Sequence, residues 1–295
     1  MLNPPLSSPG AKLRELMSAG TVVFPGVFSG ISALSAHKAG AQGLYLSGAG
    51  LSNAMGVPDI ALATLTEFAA AAASICQVAP IPMISDADTG FGEALNVRRT
   101  VIELERAGLA GIHLEDQVNP KRCGHLDGKR VIETRDMAAK VRAAVDSKKD
   151  SSFLIIARTD ARGVEGLSAA IQRAKEYEAA GADMIFPEGL ESEAEFEAFR
   201  NGLGVPLLAN MTEFGKTPLI PASRFEELGY SIVIFPMTAF RTMLKTLDET
   251  YTHLVGTGSQ VGIIDRMRTR KELYATLDYA EYEALDASWS VARGQ

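Results

Sequence analysis

Short apolar runs rich in β-branched residues alternate with longer amphipathic runs, and this alternation limits the possible fold more than any other feature of the chain. Eight short runs predict strands at 21–28, 43–48, 82–88, 111–117, 153–161, 184–189, 206–211 and 231–237. Helical patterns follow them at 31–39, 65–78, 94–107, 135–145, 167–180, 193–199, 222–228 and 239–250. An Ala-Gly pair recurs before a strand at Gly40, Gly108 and Gly181, which indicates one repeated unit. Eight such units predict a (β/α)8 TIM barrel as a single domain over 1–295, with a C-terminal helical extension.

Polar residues recur at alternate positions late in six of the predicted strands. They form the pairs Tyr45 and Ser47, Asp86 and Asp88, His113 and Glu115, Arg158 and Asp160, and Asn210 and Thr212, while Glu188 follows the apolar Phe186 on the same face of its strand. Alternate strand residues share a face, so the pattern predicts a polar pocket at the C-terminal mouth of a barrel. A doubly wound sheet is the minor alternative, because Gly26–Gly30 matches its glycine-rich phosphate turn poorly.

Three of these residues, Asp86, Asp88 and Glu115, form an acidic cluster with no neutralising residue nearby in the sequence. Converging carboxylates are unfavourable unless they share a proton or hold a cation, and oxygen ligands favour Mg2+ or Mn2+ over zinc. With so few carboxylates, several water ligands would remain, which suits Mg2+. A network of ion pairs with Arg158 is the alternative.

The predicted loop after the fourth strand contains Lys121-Arg122-Cys123-Gly124-His125. Neighbouring positive charge lowers the pKa of a thiol, so the three flanking side chains predict a cysteine suited to proton transfer. The long polar loop 118–130 predicts a lid over the barrel mouth. A basic surface cluster on a solvated linker is the alternative.

Composition excludes several classes of protein. A net charge of −7 and a pI near 5.3 argue against a nucleic-acid-binding protein. Cys76 and Cys123 lie in different settings, an apolar run and a polar stretch, so a disulfide framework is not expected. No signal-peptide pattern and no apolar stretch of about 18 residues is present, which predicts a cytoplasmic protein without membrane association.

Three motifs together resemble the isocitrate lyase and phosphoenolpyruvate mutase superfamily: residues 85–92, residues 111–117 and the pentapeptide at 121–125. The Cys-Gly-His motif resembles the lyase branch, in which the cysteine is catalytic. Arg122 and the short chain further resemble the 2-methylisocitrate lyases of propionate catabolism. One departure is Ala49, where a second glycine would be expected after Gly48.

The resemblance implies roles for individual residues. Cys123 would be the general acid/base, with Tyr45, His125 and Arg158 also in catalysis, while Asp86 and Asp88 would hold Mg2+ with Glu115 in the outer shell. The implied substrate-binding residues are Ser47, Gly48, Ala49, Asp59, Lys121, Arg122, Gly124, Arg158, Glu188, Asn210, Met211, Thr212, Arg241 and Arg270. Phe186, Ile234 and Pro236 would surround a methyl group.

The implied reaction is the Mg2+-dependent cleavage of 2-methylisocitrate, a tricarboxylate, to pyruvate and succinate. The resemblance also implies a homotetramer in which a C-terminal helix, here the pattern at 239–250, is exchanged between subunits. Isocitrate lyase is the alternative enzyme, and decarboxylases and phosphonate enzymes are more distant because they lack the Cys-Gly-His loop. A catalytically silent barrel that binds a carboxylic acid or a protein is the alternative outside enzymes.

Overall fold

The computed structural model describes residues 6–125 and 128–292. The predicted strands are all present there: β1 Val22–Val27, β2 Leu44–Leu46, β3 Met83–Asp86, β4 Gly111–Glu115, β5 Leu154–Thr159, β6 Met184–Pro187, β7 Leu208–Asn210 and β8 Ile232–Phe235. Each strand is shorter than predicted, because the flanking Gly, Pro and polar residues turn into loops.

The strands pair in parallel, in the order β6-β5-β4-β3-β2-β1-β8-β7. A parallel bridge between Ile185 and Leu207 joins the two ends of this sheet. The Ile185 amide donates to the Pro206 carbonyl at 3.1 Å, which adds a second contact across the seam. The fold is therefore the predicted (β/α)8 barrel.

The helices are α1 Pro9–Ala19, α2 Gly30–Lys38, α3 Gly48–Ala54, α4 Leu65–Cys76, α5 Ala94–Arg106, α6 Thr134–Val145, α7 Arg162–Glu165, α8 Leu167–Ala179, α9 Glu193–Gly202, α10 Ala222–Glu227, α11 Thr238–Thr257, α12 Arg270–Thr276 and α13 Tyr279–Ala292, with a 3-10 turn at Val261–Arg266. The repeated Ala-Gly pair ends a helix in each case. At Gly40 the backbone takes φ +95°, and the Ala41 amide donates to the Ala36 carbonyl at 3.1 Å. This six-residue closure turns the chain toward the next strand and requires a residue that tolerates positive φ.

Alternate strand residues enter two separate apolar layers. Phe24, Ile84, Ile156 and Phe186 are among the buried residues that fill the barrel interior, while the intervening residues pack under the outer helices. Helix α1, which the sequence pattern did not predict, adds Leu13 to the interior layer. The filled interior leaves the C-terminal mouth as the place where polar side chains gather, as predicted from the period-two pattern.

The C-terminal arm, defined as α11 to α13, leaves the barrel after β8. Phe240 is buried at the start of α11 and packs edge-on against Phe28, with ring centroids 5.3 Å apart. The predicted exchanged segment at 239–250 therefore begins on its own barrel. Further along the arm, Val255 is 87% exposed and Trp289 is 59% exposed. None of the helices described is both long and apolar enough to span a bilayer.

Replacing Leu13 by alanine should lower the free energy of unfolding by about 2–5 kcal/mol, because the side chain is fully buried in the barrel interior and its removal leaves a cavity. Leu95→Ala is the matched control, since Leu95 is 83% exposed, and its effect should stay within about 0.5 kcal/mol. Urea denaturation of both variants measures the difference. Equal stability of the two variants would show that Leu13 of α1 does not contribute to the interior layer as described.

Candidate active site

A cavity of about 330 Å³ opens at the C-terminal mouth of the barrel. Most of the predicted site residues line it: Tyr45, Ser47, Ala49, Asp59, Asp86, Cys123, Gly124, His125, Glu188, Asn210, Thr212, Pro236 and Arg241. Their side chains come from strand ends and from the loops that follow them, so residues far apart in sequence meet at one edge of the sheet.

Tyr45, His113 and Asp86 form a buried polar chain in the floor of this cavity. The Tyr45 hydroxyl lies 2.8 Å from His113 Nε2, and His113 Nδ1 lies 3.7 Å from Asp86 Oδ1. Burial raises the pKa of Tyr45 well above its usual value, and it lowers the pKa of His113 to about 4. Both groups are therefore neutral at pH 7, and the imidazole can pair with the phenol.

The loop after β4 places the ammonium group of Lys121 beside the acidic cluster. Lys121 Nζ donates to Asp59 Oδ1 at 2.6 Å and lies 3.0 Å from Asp88 Oδ1, with its side chain only 3% exposed. Burial alone would lower the pKa of Lys121, but Asp86, Asp88, Glu115 and Asp59 together raise it well above its usual value. The ammonium group is thus held in its charged form by an excess of carboxylates.

The acidic residues retain unused capacity for a cation. Both carboxylate oxygens of Glu115 are buried without a hydrogen-bond partner among the described residues, and its nearest ion-pair contact is Arg158 Nη1 at 3.4 Å. Burial raises the pKa of Asp88 to about 7. These hard oxygen donors fit a divalent cation. Across residues 6–125 and 128–292, however, no three His, Cys, Asp or Glu side chains are grouped as direct metal ligands, so such a cation would keep several waters.

Arg158 lies at the centre of an ion-pair network beside this cluster. Its Nε and Nη2 donate to the two carboxylate oxygens of Asp160 at 2.9 and 3.1 Å. Its Nη1 lies 3.4 Å from Glu188 as well as from Glu115, and the guanidinium carbon lies 5.2 Å from the centre of the Phe186 ring. The ion pairs that the sequence offered as an alternative to a metal are therefore present, although Glu115 accepts no hydrogen bond from them.

The Cys-Gly-His motif lines the cavity, and Leu126 and Asp127 of the predicted lid lie outside the described residues. The Gln117 side chain holds the motif's entry through two bonds, from its Nε2 to the Arg122 carbonyl at 2.8 Å and from the Arg122 amide to its Oε1 at 3.0 Å. His125 Nε2 lies 3.1 Å from Glu188 Oε1, and His125 Nδ1 accepts from the Lys216 amide at 3.1 Å.

The prediction of a lowered thiol pKa is wrong. Cys123 is exposed at the mouth of the cavity, yet nearby protein atoms partly desolvate its thiol and raise its pKa. Lys121 does not reverse this effect because its ammonium group pairs with Asp59 and Asp88, and His125 directs its Nε2 at Glu188. Cys123 is therefore a protonated thiol at neutral pH, which can donate a proton.

The comparisons with known proteins agree with this geometry. The phosphoenolpyruvate phosphomutase family model matches residues 13–255. A 2-methylisocitrate lyase from Aeropyrum pernix is 51% identical over 287 residues, covering 97% of this chain and 92% of that protein. The crystal structure of a 2,3-dimethylmalate lyase superposes with a TM-score of 0.91 at 35% identity, covering 96% of each chain. This chain belongs to the isocitrate lyase and phosphoenolpyruvate mutase superfamily.

The superfamily includes a phosphonopyruvate hydrolase whose structure was solved with oxalate and Mg2+; it has a TM-score of 0.86 at 26% identity, covering 95% of this chain and 98% of that one. The family prediction made from the three motifs is thereby confirmed. The name of the Aeropyrum relative also agrees with the lyase branch that the Cys-Gly-His motif predicted.

Several predicted residues of this superfamily member do not line the cavity. Gly48, Asp88, Glu115, Lys121, Arg158 and Phe186 lie beneath or beside it, Met211 is buried, and Arg122 lines a small neighbouring groove. Arg270 begins α12 and lines a separate groove of about 730 Å³ with Tyr274 and Tyr279. Within the described chain, Arg270 is therefore not among the residues that meet at the barrel mouth.

Four cavity-lining residues were missed by the sequence pattern: Asn53, Pro58, Ile60 and Met237. They lie on α3, on the connection from β2 to β3 and just after β8, where no period-two alternation exists. Ile60 and Met237 add apolar surface near Pro236. Predicting these four residues would have required knowledge of which loops fold over the mouth of the barrel.

Because only the thiolate reacts with iodoacetamide, the raised pKa predicts slow alkylation of Cys123 at pH 7, with a rate that still increases above pH 9. Peptide-resolved mass spectrometry across a pH series measures this rate. The same peptide alkylated in denaturant is the control and should react faster at pH 8. A rate that reaches its plateau below pH 8 would contradict the raised pKa.

Proposed function

We propose that this protein is a 2-methylisocitrate lyase that cleaves the C2–C3 bond of 2-methylisocitrate to yield pyruvate and succinate. The observation that carries the proposal is the protonated thiol of Cys123 at the mouth of a cavity that Asp59, Asp86 and Glu188 line, with Arg158 directly beside it, 3.4 Å from Glu188. The 51% identity to a 2-methylisocitrate lyase over nearly the whole chain supports the choice of substrate.

The cavity and the residues directly beside it offer donors for the three substrate carboxylates. Arg158, Asn210, Thr212, Arg241 and Ser47 are the side chains we assign to them, together with the backbone amides of Gly48 and Ala49. Asn210 is already oriented, because its Nδ2 donates to Glu188 at 3.1 Å and its Oδ1 accepts from the Thr212 amide at 3.0 Å. Pre-oriented donors lower the cost of stabilising charge that develops during cleavage.

Two proton transfers follow from the residues present. Tyr45 takes the proton of the substrate's C2 hydroxyl while its own proton passes to His113, whose Nε2 lies 2.8 Å away. The negative charge of Asp86, 3.7 Å from His113 Nδ1, opposes the effect of burial and favours the imidazolium that this transfer forms. Cleavage leaves a succinate aci-carboxylate, and Cys123 donates the proton that its carbon requires. His125, held between Glu188 and the Lys216 amide, keeps the cysteine segment in place over the cavity.

The acidic residues support a divalent cation, which we assign as Mg2+, with Mn2+ as a substitute. Asp86 and Asp88 would hold it, and Glu115, with two unpaired buried oxygens, would contact its waters. When bound, the cation supplies positive charge for the oxygen of the forming keto acid.

We further propose a homotetramer in the cytoplasm. The exposed apolar side chains of the C-terminal arm support an interface, because contiguous apolar surface on a monomer marks a contact site. Exchange of this arm beyond Phe240 between subunits would cover Val255 and the groove at Tyr274, and it would decide whether Arg270 reaches a substrate cavity.

The experiment that tests the function is steady-state turnover with Mg2+ on 2-methylisocitrate, isocitrate and 2,3-dimethylmalate. We expect 2-methylisocitrate to have the highest kcat/KM, with pyruvate and succinate formed in equal amounts. A preference for isocitrate, scored as glyoxylate, would retain the mechanism and overturn the substrate. Turnover of 2,3-dimethylmalate above the others would favour the activity of the structural neighbour.

Cys123→Ser is the mechanistic arm of this experiment. A hydroxyl is a much weaker acid than a thiol, so kcat should fall by at least about 100-fold while KM changes little. Cys76→Ser is the matched control, because Cys76 lies on α4 and burial raises its pKa to about 12. Near-normal turnover of Cys123→Ser would remove this cysteine from the mechanism.

Removal of divalent metal with EDTA should abolish turnover, because the excess carboxylates then lack the cation that stabilises the product oxygen. Added Mg2+ should restore it, and Mn2+ should restore part of it. The control is enzyme treated with EDTA that was first saturated with Mg2+, and this enzyme should remain active. Full activity after exhaustive chelation would contradict the metal assignment.

A further inference from the structure

Asp160 holds Arg158 from a fully buried position just beyond β5. Its carboxylate accepts two bonds from the guanidinium, at 2.9 and 3.1 Å, and one from Lys129 Nζ at 3.0 Å. A paired fork of this kind fixes the plane of the guanidinium as well as its position. Asp160 therefore orients Arg158 without itself lining the substrate cavity.

Asp160 is itself fixed by a second buried carboxylate. Asp116 accepts from the Asp160 amide at 2.9 Å, from the Thr159 hydroxyl at 2.7 Å and from the Tyr177 hydroxyl at 2.9 Å. These donors come from β5 and from α8, so Asp160 rests on the body of the barrel rather than on a loop.

Lys129 connects Asp160 to the Cys-Gly-His motif. Its ammonium group also donates to the carbonyl oxygen of Gly124, the residue between Cys123 and His125. The lysine side chain is 5% exposed, so both contacts are shielded from water. Its backbone lies next to the closed neck of the loop, where the Val118 amide donates to the Arg130 carbonyl at 2.8 Å.

Gly124 is closely surrounded by other side chains. A Cβ at position 124 would lie 2.4 Å from Glu188 Cγ and 2.6 Å from Arg158 Nη2. The backbone at Gly124 is thus packed closely against Glu188 and against Arg158, which Asp160 orients. A shift of this segment of a fraction of an ångström would move Cys123 relative to Arg158.

We propose that Lys129 and Asp160 are positioning residues: Lys129 binds the Gly124 carbonyl to the Asp160 carboxylate and so sets the distance between the thiol of Cys123 and the guanidinium of Arg158. The inference rests on the proposed function, because it takes Cys123 as the proton donor and Arg158 as a substrate-binding residue. Neither positioning residue lines the cavity.

The test compares Lys129→Met, Lys129→Arg and the control Lys175→Met, which changes an exposed lysine on α8. Alkylation of Cys123 by iodoacetamide at pH 8, followed peptide by peptide, reports how firmly the cysteine segment is held. Lys129→Met should accelerate it at least about 3-fold, because the released thiol regains water and its pKa falls. Lys129→Arg should react within about 2-fold of the wild type, since it keeps the charge and the donors.

Kinetics provides the second measurement. Lys129→Met leaves the Arg158–Asp160 pair intact, so kcat should fall about 10-fold while KM changes less than about 3-fold. Asp160→Asn loses a charged partner of both cations, so its KM should increase as well. Lys129→Arg should recover most of kcat.

Two outcomes overturn the proposal: unchanged alkylation of Cys123 in Lys129→Met, or an equal acceleration at Cys76, which would indicate general loosening of the barrel. The alkylation comparison needs no substrate. If the wild type turns over none of the three acids, the proposed function fails while the role of Lys129 is still decided.

Discussion

The concentration of buried carboxylates at the barrel mouth is the constraint on which the site depends. Asp86, Asp88, Glu115, Asp160 and Glu188 are all at most 4% exposed and come from four neighbouring strands or the residues just after them. Buried charge of one sign is strongly unfavourable unless cations are placed beside it. Arg158 and the lysines of the loop after β4 supply that charge, so the loop is required for the electrostatics of the mouth as well as for covering the cavity.

This arrangement explains why the pKa of Cys123 is raised, although its neighbours in the sequence predicted a lowered pKa. Lys121 reaches Asp59 and Asp88, and Lys129 reaches Asp160, so each ammonium group is paired with a carboxylate rather than with the thiol. His125 likewise points to Glu188. With these side chains directed to carboxylates, desolvation raises the pKa of Cys123 and keeps the thiol protonated. A proton donor to carbon needs that form, whereas a nucleophilic cysteine would need the thiolate.

A second set of buried polar residues lies behind the residues that line or adjoin the cavity. Tyr45 lines the cavity, and His113 contacts its hydroxyl from behind at 2.8 Å. Asp160 likewise orients Arg158 beside the cavity, and Asp116 accepts a hydrogen bond from the Asp160 amide. This second set of residues restricts the rotamers of the substrate-binding and catalytic side chains without itself contacting the substrate. The apolar filling of the barrel interior, including Phe186 beneath Arg158, excludes water from the floor of this network.

The sequence by itself determined the eight strands, the inward parity of Tyr45, Asp86 and Arg158, and the superfamily, because strand alternation and contiguous motifs are local properties. It could not determine the partner of each charged side chain. The pentapeptide suggested three cations acting on one thiol, yet only the folded loop assigns Lys121 to Asp88, 33 positions earlier, and His125 to Glu188, 63 positions later. Ile60, Met237 and Lys129 escaped prediction for the same reason. Which groups meet across a barrel mouth depends on strand order and loop closure, and these are properties of the tertiary structure.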